Sequence, residues 1–355
     1  MRLIVNGKFT AQRVTGVQRV AYELMRAVER IEVGALEVAV PKIRSGPGIS
    51  LGAQRVVPWM SGNLWEQVAL PLATRGEMLV NLCNSGPIFK RRQIVMVHDM
   101  AVYDTPHTFS TTFRTWYRIK FAMLLRHASM VLTVSSFSKA RICHVLGVEE
   151  SRVRVVRPGA DHFERIVPES SVIDRLGLIG VTYCVIVGSL DPRKNLQRVL
   201  DAIERLAHLK EVKFVIVGGA NARVFSGNGN SGRSDNPQIV RAGYVSDAEL
   251  KALYERAACL VFPSLYEGFG LPPLEAMFCG CPAIVSTHAA ISEACGDAAL
   301  FCDASSADDI AEKIGLMIGD ERLREAHRLR GIAHARACRW HDAAQELMKA
   351  LRGAA

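Results

Sequence analysis

The chain has 355 residues, of which 49% are hydrophobic and 22% charged, with 28 glycines and 14 prolines. These ordinary globular proportions exclude a disordered, collagen-like or fibrous chain, and a length well above the roughly 150 residues of one domain predicts two. The net charge of +9 is lopsided, with +11 in residues 1–165 and −2 in residues 166–355, so the basic half points to an anionic partner.

No apolar run approaches the roughly 20 residues that span a bilayer, and Met1 to Phe9 turns polar too soon for a signal peptide, so a cytoplasmic chain is expected. Its nine cysteines include no Cys-x-x-Cys pair and read as buried thiols, with neither a disulfide framework nor a metal site expected.

In chain order, a short β-branched run at 3–5 predicts a buried strand. Val17, Val20, Ala21, Leu24, Val28 and Ile31 then repeat at helical spacing. Further strands are predicted at 79–82, 94–97, 131–134 and 153–156. Between the second and third of these lies Phe113 to Arg126, which mixes aromatics, aliphatics and the cations Arg114, Arg118, Lys120 and Arg126. Such a segment reads either as peripheral contact with an anionic membrane or as a core helix whose arginines reach water.

After Arg157-Pro158-Gly159 the pattern restarts, which places the interdomain connection near 160–175. Strands follow at 183–187, 212–217, 259–262 and 283–286, and Leu196, Val199, Leu200, Ile203 and Leu206 form a helical stripe between the first two. Residues 226–236 are turn-formers and read as a surface loop. A last helix at 340–351 is expected to pack back on the first domain. Alternating strands and helices predict two doubly wound α/β domains with parallel sheets, at 1–165 and 176–330.

The densest chemical signal is the stretch from Pro263 to Met277, which follows a predicted strand. Strand, glycine loop and helix place a helix N-terminus at the sheet's carboxyl edge, where its free N–H groups suit a phosphate. Pro272 or Pro273 fits a first helical turn, and Gly280 fits just past the helix end. Glu267 in the loop and Glu275, read as first-turn, can reach one crevice at two depths. Each also has a plainer reading, as a solvated charge and a helix-dipole partner. Gly268-Phe269-Gly270 between them favours a ligand, because glycines admit close backbone approach.

These residues resemble the Glu-x7-Glu signature of the retaining glycosyltransferases of family 4. Val187-Gly188-Ser189-Leu190-Asp191-Pro192-Arg193-Lys194-Asn195 resembles that family's diphosphate loop. Ala242 to Leu250, Ile291-Ser292-Glu293 and Thr15 to Val20 fit as well, and the likeness runs strongly over 180–303 and more weakly over 1–165. It implies the GT-B fold, in which two Rossmann-like domains face an interdomain cleft, with acceptor bound by the first domain and nucleotide sugar by the second.

Residue by residue, the resemblance implies that Arg193 and Lys194 neutralise the departing diphosphate in place of a metal. Glu267, with the N–H groups of Phe269 and Gly270, would orient the sugar beside Gly268 and Leu271. Glu275 would hold the ribose, and Tyr244 and Val245 would contact the base. His98, at the end of a predicted strand, would serve the transferred sugar, Gly16 would admit the backbone to the donor phosphates or to the acceptor, and Gly188 belongs with the nucleotide-sugar-binding loop. The family's additional arginine after the loop glycine is replaced here by Ser189 and Leu190.

The Pro-Arg-Lys-Asn form of the loop resembles bacterial mannosyltransferases of polysaccharide assembly. That likeness implies GDP-mannose as co-substrate, no further cofactor, and a glycan or polyprenyl-diphosphate-linked acceptor. Two alternatives remain open: a nucleotide-sugar epimerase on the same fold, and a basic nucleic-acid binder. The latter lacks any base-reading motif, so no specific nucleic acid is expected.

Overall fold

The computed structural model describes residues 3–42, 52–188, 191–219 and 236–354. They fall into two compact units. Unit 1 comprises Met1–Tyr103, Thr115–Gly159 and Arg339–Ala355; unit 2 comprises Asp104–Arg114 and Ala160–Cys338.

Unit 1 is built on β1 (Leu3–Asn6), β2 (Leu36–Pro41), β3 (Ala53–Val57), β4 (Leu79–Asn81), β5 (Gln93–Met96), β6 (Met130–Thr133) and β7 (Val153–Val155). They form one parallel sheet in the order β3-β2-β1-β4-β5-β6-β7. Unit 2 is built on β8 (Tyr183–Val187), β9 (Lys213–Val217), β10 (Ile239–Gly243), β11 (Cys259–Phe262), β12 (Ala283–Ser286) and β13 (Leu300–Cys302), parallel in the order β10-β9-β8-β11-β12-β13. The predicted α/β class with two doubly wound parallel sheets is therefore what the chain forms.

Helices cover both faces, so interior strands are apolar throughout: Ile4, Leu79, Ile94, Val131, Val185, Val215 and Val261 are all fully buried. Four strands were not predicted, and three of them are edges. β3, β10 and β13 each have only one neighbour, and the exposed side of an edge strand needs no apolar run. The fourth, β2, is interrupted by Glu37. That buried carboxylate accepts two hydrogen bonds from the Arg55 guanidinium on β3, each 3.0 Å, and the fork removes the cost of burying it.

The helix Gly16–Ile31 opens with a Thr15–Gln18 capping box and buries Val20, Leu24 and Val28. Against it packs the last helix, Trp340–Ala354, which buries Trp340, Ala344, Leu347 and Leu351 and places Arg352 3.4 Å from Glu32. In unit 2 the helix Leu196–Arg205 and the helix Ala307–Gly319 cover one sheet face with Val199, Ile203, Ile310 and Ile314. Burying each such side chain is worth roughly 1.5–3 kcal/mol.

Residues 160–175 are built into unit 2 as a 3-10 turn, Asp161–Arg165, and a helix, Ser171–Arg175, with Phe163, Val172 and Ile173 buried. Residues 226–235 of the expected surface loop lie outside the described residues.

In each unit the chain winds outward from one strand in both directions. β8 lies between β9 and β11, and β1 lies between β2 and β4. Loops leaving two such neighbours diverge and open a crevice at their carboxyl ends, the position where open α/β sheets bind ligands.

Candidate active site

In unit 2 the crevice between β8 and β11 collects most of the residues singled out above. Gly188 directly follows β8. A Cβ there would lie 3.2 Å from Lys194 Cβ, so its absence makes room for the lysine stem to cross the strand end. The 3-10 turn Pro192–Lys194 is capped by Asp191, which accepts a 2.9 Å hydrogen bond from the Arg193 N–H. Asn195 ends the turn in the left-handed conformation, with φ 60°. Its amide donates to the carbonyls of Pro263 (3.1 Å) and Ala304 (2.7 Å). The Arg193 carbonyl accepts from Leu265 N–H at 2.8 Å. The two loops of the crevice are thus bonded to each other.

Their charges are matched in pairs. Lys194 Nζ lies 2.5 Å from Glu267 Oε1 and 5.0 Å from the centroid of the Phe262 ring. Arg193 takes a different course from the one expected of it. Its guanidinium is held by both oxygens of Asp191, the shortest contact being 2.6 Å, and it lies 5.1 Å over the Phe109 ring. The sequence places two cations side by side, and the turn sends one to a carboxylate of its own loop and the other across to Glu267.

The loop after β11 leads through Tyr266, whose hydroxyl donates to Asp104 at 2.9 Å, and through Gly268 to buried Phe269. Gly270 stands at φ 127°, a conformation open to glycine, and caps the helix Leu271–Phe278, which buries Leu271 and carries Pro272 in its first turn. Gly280 follows the helix end at φ 79°. The expectation that Glu275 belongs to the first turn is corrected. The helix begins at Leu271, so Glu275 lies past that turn, buried, with Oε1 3.2 Å from Nε2 of the equally buried His162.

Two neighbours of this crevice escaped the sequence reading. His288 follows β12 and packs edge-on against Tyr266, 5.3 Å between ring centroids. Burial pulls its pKa down, against the opposing pull of Glu267 and Asp104. Gly219, after β9, lies under Tyr244: a Cβ on it would stand 2.1 Å from the tyrosine ring. Tyr244 itself is 54% exposed and Val245 half-buried. A glycine pair at a strand end is the signal that pointed there, and no spacing marked His162 or His288. Ser189 and Leu190 lie outside the described residues.

In unit 1, His98 follows β5 and is buried. Its Nε2 lies 2.8 Å from the Leu82 carbonyl, so Nε2 carries the proton and donates, leaving Nδ1 as an acceptor. Burial lowers its pKa, against that hydrogen bond and Asp99, and keeps the ring neutral. Gly16 is the exposed first residue of its helix, and nothing lies within 4 Å of where its Cβ would be.

The crevice between β1 and β4 holds a polar network that sequence reading did not find. Asn6, ending β1, donates to Asn81, ending β4, at 2.9 Å and to Glu66 at 3.1 Å. Glu66 also accepts from Lys8 (2.9 Å) and Ser85 (2.6 Å). Burial pushes Glu66 up, but Lys8, Ser85 and Lys120 outweigh it and hold the carboxyl below its usual range. Lys120, one of the cations of 113–126, turns inward: it donates to Ser85 at 3.0 Å, and burial brings its pKa down to about 8. Arg118 donates to the Val102 carbonyl at 3.1 Å. The helix Thr111–His127 is accordingly half core, with Phe121, Leu124 and Leu125 buried and Trp116 and Ile119 half-exposed.

Two family models match the chain: one described as glycosyl transferases group 1 over residues 180–334, and one described as glycosyltransferase family 4 over residues 79–163. The fold is that of Anabaena Alr3699/HepE, solved with UDP and glucose (TM-score 0.73, 16% identity, 99% of this chain and 98% of that one). It is equally that of WaaG, a glycosyltransferase involved in lipopolysaccharide biosynthesis (TM-score 0.72, 15% identity, 98% of each chain). The chain belongs to the GT-B glycosyltransferases.

Among curated glycosyltransferases, O-antigen chain mannosyltransferase B of Escherichia coli is 28% identical over 274 residues, covering 73% of this chain and 70% of that protein. O-antigen chain mannosyltransferase RfbU of Salmonella typhimurium is 25% identical over 271 residues, covering 76% and 73%. In this glycosyltransferase, the crevice of unit 2 lies within the stretch matched by the group 1 model.

Proposed function

We propose that this glycosyltransferase moves a hexose, mannose from GDP-mannose, onto a glycan or polyprenyl-diphosphate-linked acceptor in the synthesis of a surface polysaccharide, with retention of anomeric configuration. The observation that carries the reading is the Lys194–Glu267 pair at the β8/β11 crevice, 2.5 Å apart. A cation and a carboxylate in contact there suit a ligand that is an anion at one end and a polyol at the other. The names of the relatives, O-antigen chain mannosyltransferases, support mannose, and a neighbour solved with UDP and glucose supports a nucleotide sugar.

In this mechanism the diphosphate takes Lys194, and the charge that grows on the leaving phosphate is stabilised more in the transition state than in the ground state. Glu267, released from its lysine, accepts hydrogen bonds from sugar hydroxyls, and the loop N–H groups donate to sugar oxygens. Glu275 binds the ribose, with His162 behind it. Asp191 keeps Arg193 in the turn as a neutral pair, which leaves Lys194 as the cation that meets the diphosphate. Neutral His98 offers Nδ1 to a hydroxyl. The acceptor attacks from the face the diphosphate leaves, and the departing phosphate oxygen takes its proton, so no glycosyl-enzyme forms.

Thermal stabilisation by GDP, UDP and dTDP tests the donor, because a ligand held at 100 times its Kd raises stability by about 2.7 kcal/mol. GDP is expected to stabilise most. Lys194→Ala should lower turnover by orders of magnitude, while Glu275→Gln should weaken nucleotide binding. Near-normal turnover in Lys194→Ala, or donor consumed equally without acceptor, contradicts the proposal, and the anomeric proton coupling of the product reads retention directly.

A further inference from the structure

Unit 1 carries a surface that the donor crevice does not use. From Gly62 to Ala73 the chain runs through a short α-helix, a π-helical turn at Trp65–Ala69 and a second α-helical turn. Its inner face is core: Trp65, Ala69 and Leu70 are buried with Ile4, Val57 and Leu79, and the Trp65 indole donates to the Val57 carbonyl at 3.0 Å. The outer face is apolar as well. Leu64, Val68 and Leu72, four residues apart, are 65%, 38% and 61% exposed. The π turn takes in one more residue than an α turn, which keeps residues at this spacing nearer to one line. Val68 and Leu72 form one wall of an open groove of about 540 Å³, with Phe89, 78% exposed, also lining it, and Leu64 continues the apolar line beyond the groove.

Besides these and the uncharged Gln67, Pro71, Gly76 and Pro87, the groove is lined by cations. Arg75, Lys90, Arg91 and Arg92 border it, and no acidic residue does among the described residues. The side chains of Arg75, Arg91 and Arg92 have no carboxylate partner among the described residues. Glu77, two residues beyond Arg75, is bonded to Arg55 at 2.7 Å. Lys90 donates to the Thr74 carbonyl at 2.7 Å and so ties the basic loop to the end of the helix. Trp59 and Met60, in the turn leading into the helix, are also more than half exposed.

A soluble surface helix ordinarily faces water with polar side chains, and large apolar patches mark contact sites. Here aliphatic and aromatic side chains stand beside a row of unpaired guanidinium groups in an open groove. That combination matches acyl chains below and a layer of negative headgroups above. We infer that the face formed by Leu64, Val68, Leu72 and Phe89, with Arg75, Arg91 and Arg92, is where this protein docks on an anionic phospholipid bilayer. The apolar residues enter the headgroup boundary, and the arginines bind phosphates of several lipids at once. This moves the membrane-facing surface away from 113–126, where Lys120 and Arg118 are engaged inside the unit. It rests on the lipid-linked acceptor only for its purpose. The contact itself is read without donor or acceptor.

Cosedimentation of the full chain with vesicles of phosphatidylcholine alone, and with one-quarter phosphatidylglycerol, at physiological salt tests it. The native protein should bind the anionic vesicles and stay in solution with the neutral ones. Each cation near such a surface counts for about fivefold in affinity, so Arg91→Glu with Arg92→Glu should weaken binding at least twentyfold. Phe89→Asp and Leu72→Asp, at exposed positions where the fold is not at stake, should each weaken it about tenfold, whereas Ile119→Asp should not. Four results overturn the inference: no binding of the native chain to anionic vesicles, undiminished binding of the double arginine variant, loss through Ile119→Asp alone, or a concentration-dependent dimer that Leu72→Asp dissolves while vesicle binding persists. Loss of GDP stabilisation would strike the donor reading and leave this one intact.

Discussion

Lys194 and Glu267 occupy a site whose proposed ligand competes for both of them, and the cation is held in place by the carboxylate to which the proposal gives the sugar. At the far side of the crevice, Gly219 is needed only for what lies on it. Gly219→Ala would put a methyl group 2.1 Å from the Tyr244 ring. The ring is the far, half-exposed end of a side chain, so it swings away at little cost in stability, within about 0.5 kcal/mol. If Tyr244 stacks on the nucleobase, loss of that contact weakens nucleotide binding roughly tenfold. Calorimetric titration of Gly219→Ala and Tyr244→Ala should give matching losses, and unchanged affinity in both removes Tyr244 from the base site. Residue types at this scale were legible: a glycine loop, a Lys-Asn pair and two glutamates are visible in any reading of the chain. Their partners were not. Nothing in the spacing ties His162 to Glu275, and Arg193 beside Lys194 reads as a second free cation until the turn is seen to fold it onto Asp191.

The element that fixes Lys194 is the turn ending at Asn195. A non-glycine residue at φ 60° carries strain that its two hydrogen bonds, to Pro263 and Ala304, offset. Asn195→Ala loses both bonds and keeps the strain, at about 2–4 kcal/mol; Asn195→Gly relieves the backbone and should recover about 1 kcal/mol. Denaturant titration separates the two, and equal stability of both variants with the native protein contradicts the role assigned to this residue. The same contrast between local and distant partners governs which strands could be read. Runs such as Tyr183–Val187 and Cys259–Phe262 are apolar because helices cover both faces. Ala53–Val57 is an edge strand with mostly exposed side chains, and Leu36–Pro41 has a glutamate whose counter-ion arrives from another strand. Periodicity reports burial, and these strands depart from the burial it assumes.

For the molecule as a whole, three histidines set a slope of stability with pH. Burial lowers the pKa of His98 in unit 1 and of His288 and His327 in unit 2. An unfolded chain takes up protons at these groups near pH 6.5, where the folded chain does not. Unfolding therefore binds protons, and stability falls as pH drops through 6.5. Thermal unfolding followed from pH 7.5 to 5.5 should show Tm decreasing for both units, and His327→Gln should flatten the slope of unit 2. A Tm that rises on acidification would contradict the neutral state assigned to these rings.

Unit 1 contains both the first and the last helices of the chain, with Glu32 and Arg352 in contact across 320 positions of sequence. During translation at roughly 5–20 residues per second, the apolar stripe of the early helix waits about 15–60 s for its cover. Unit 2 can leave the ribosome complete while the unit that begins before it is still open. The nascent protein thus offers an uncovered hydrophobic face until the helix Trp340–Ala354 has been made, and a chain that stops before Trp340 leaves that face bare for good.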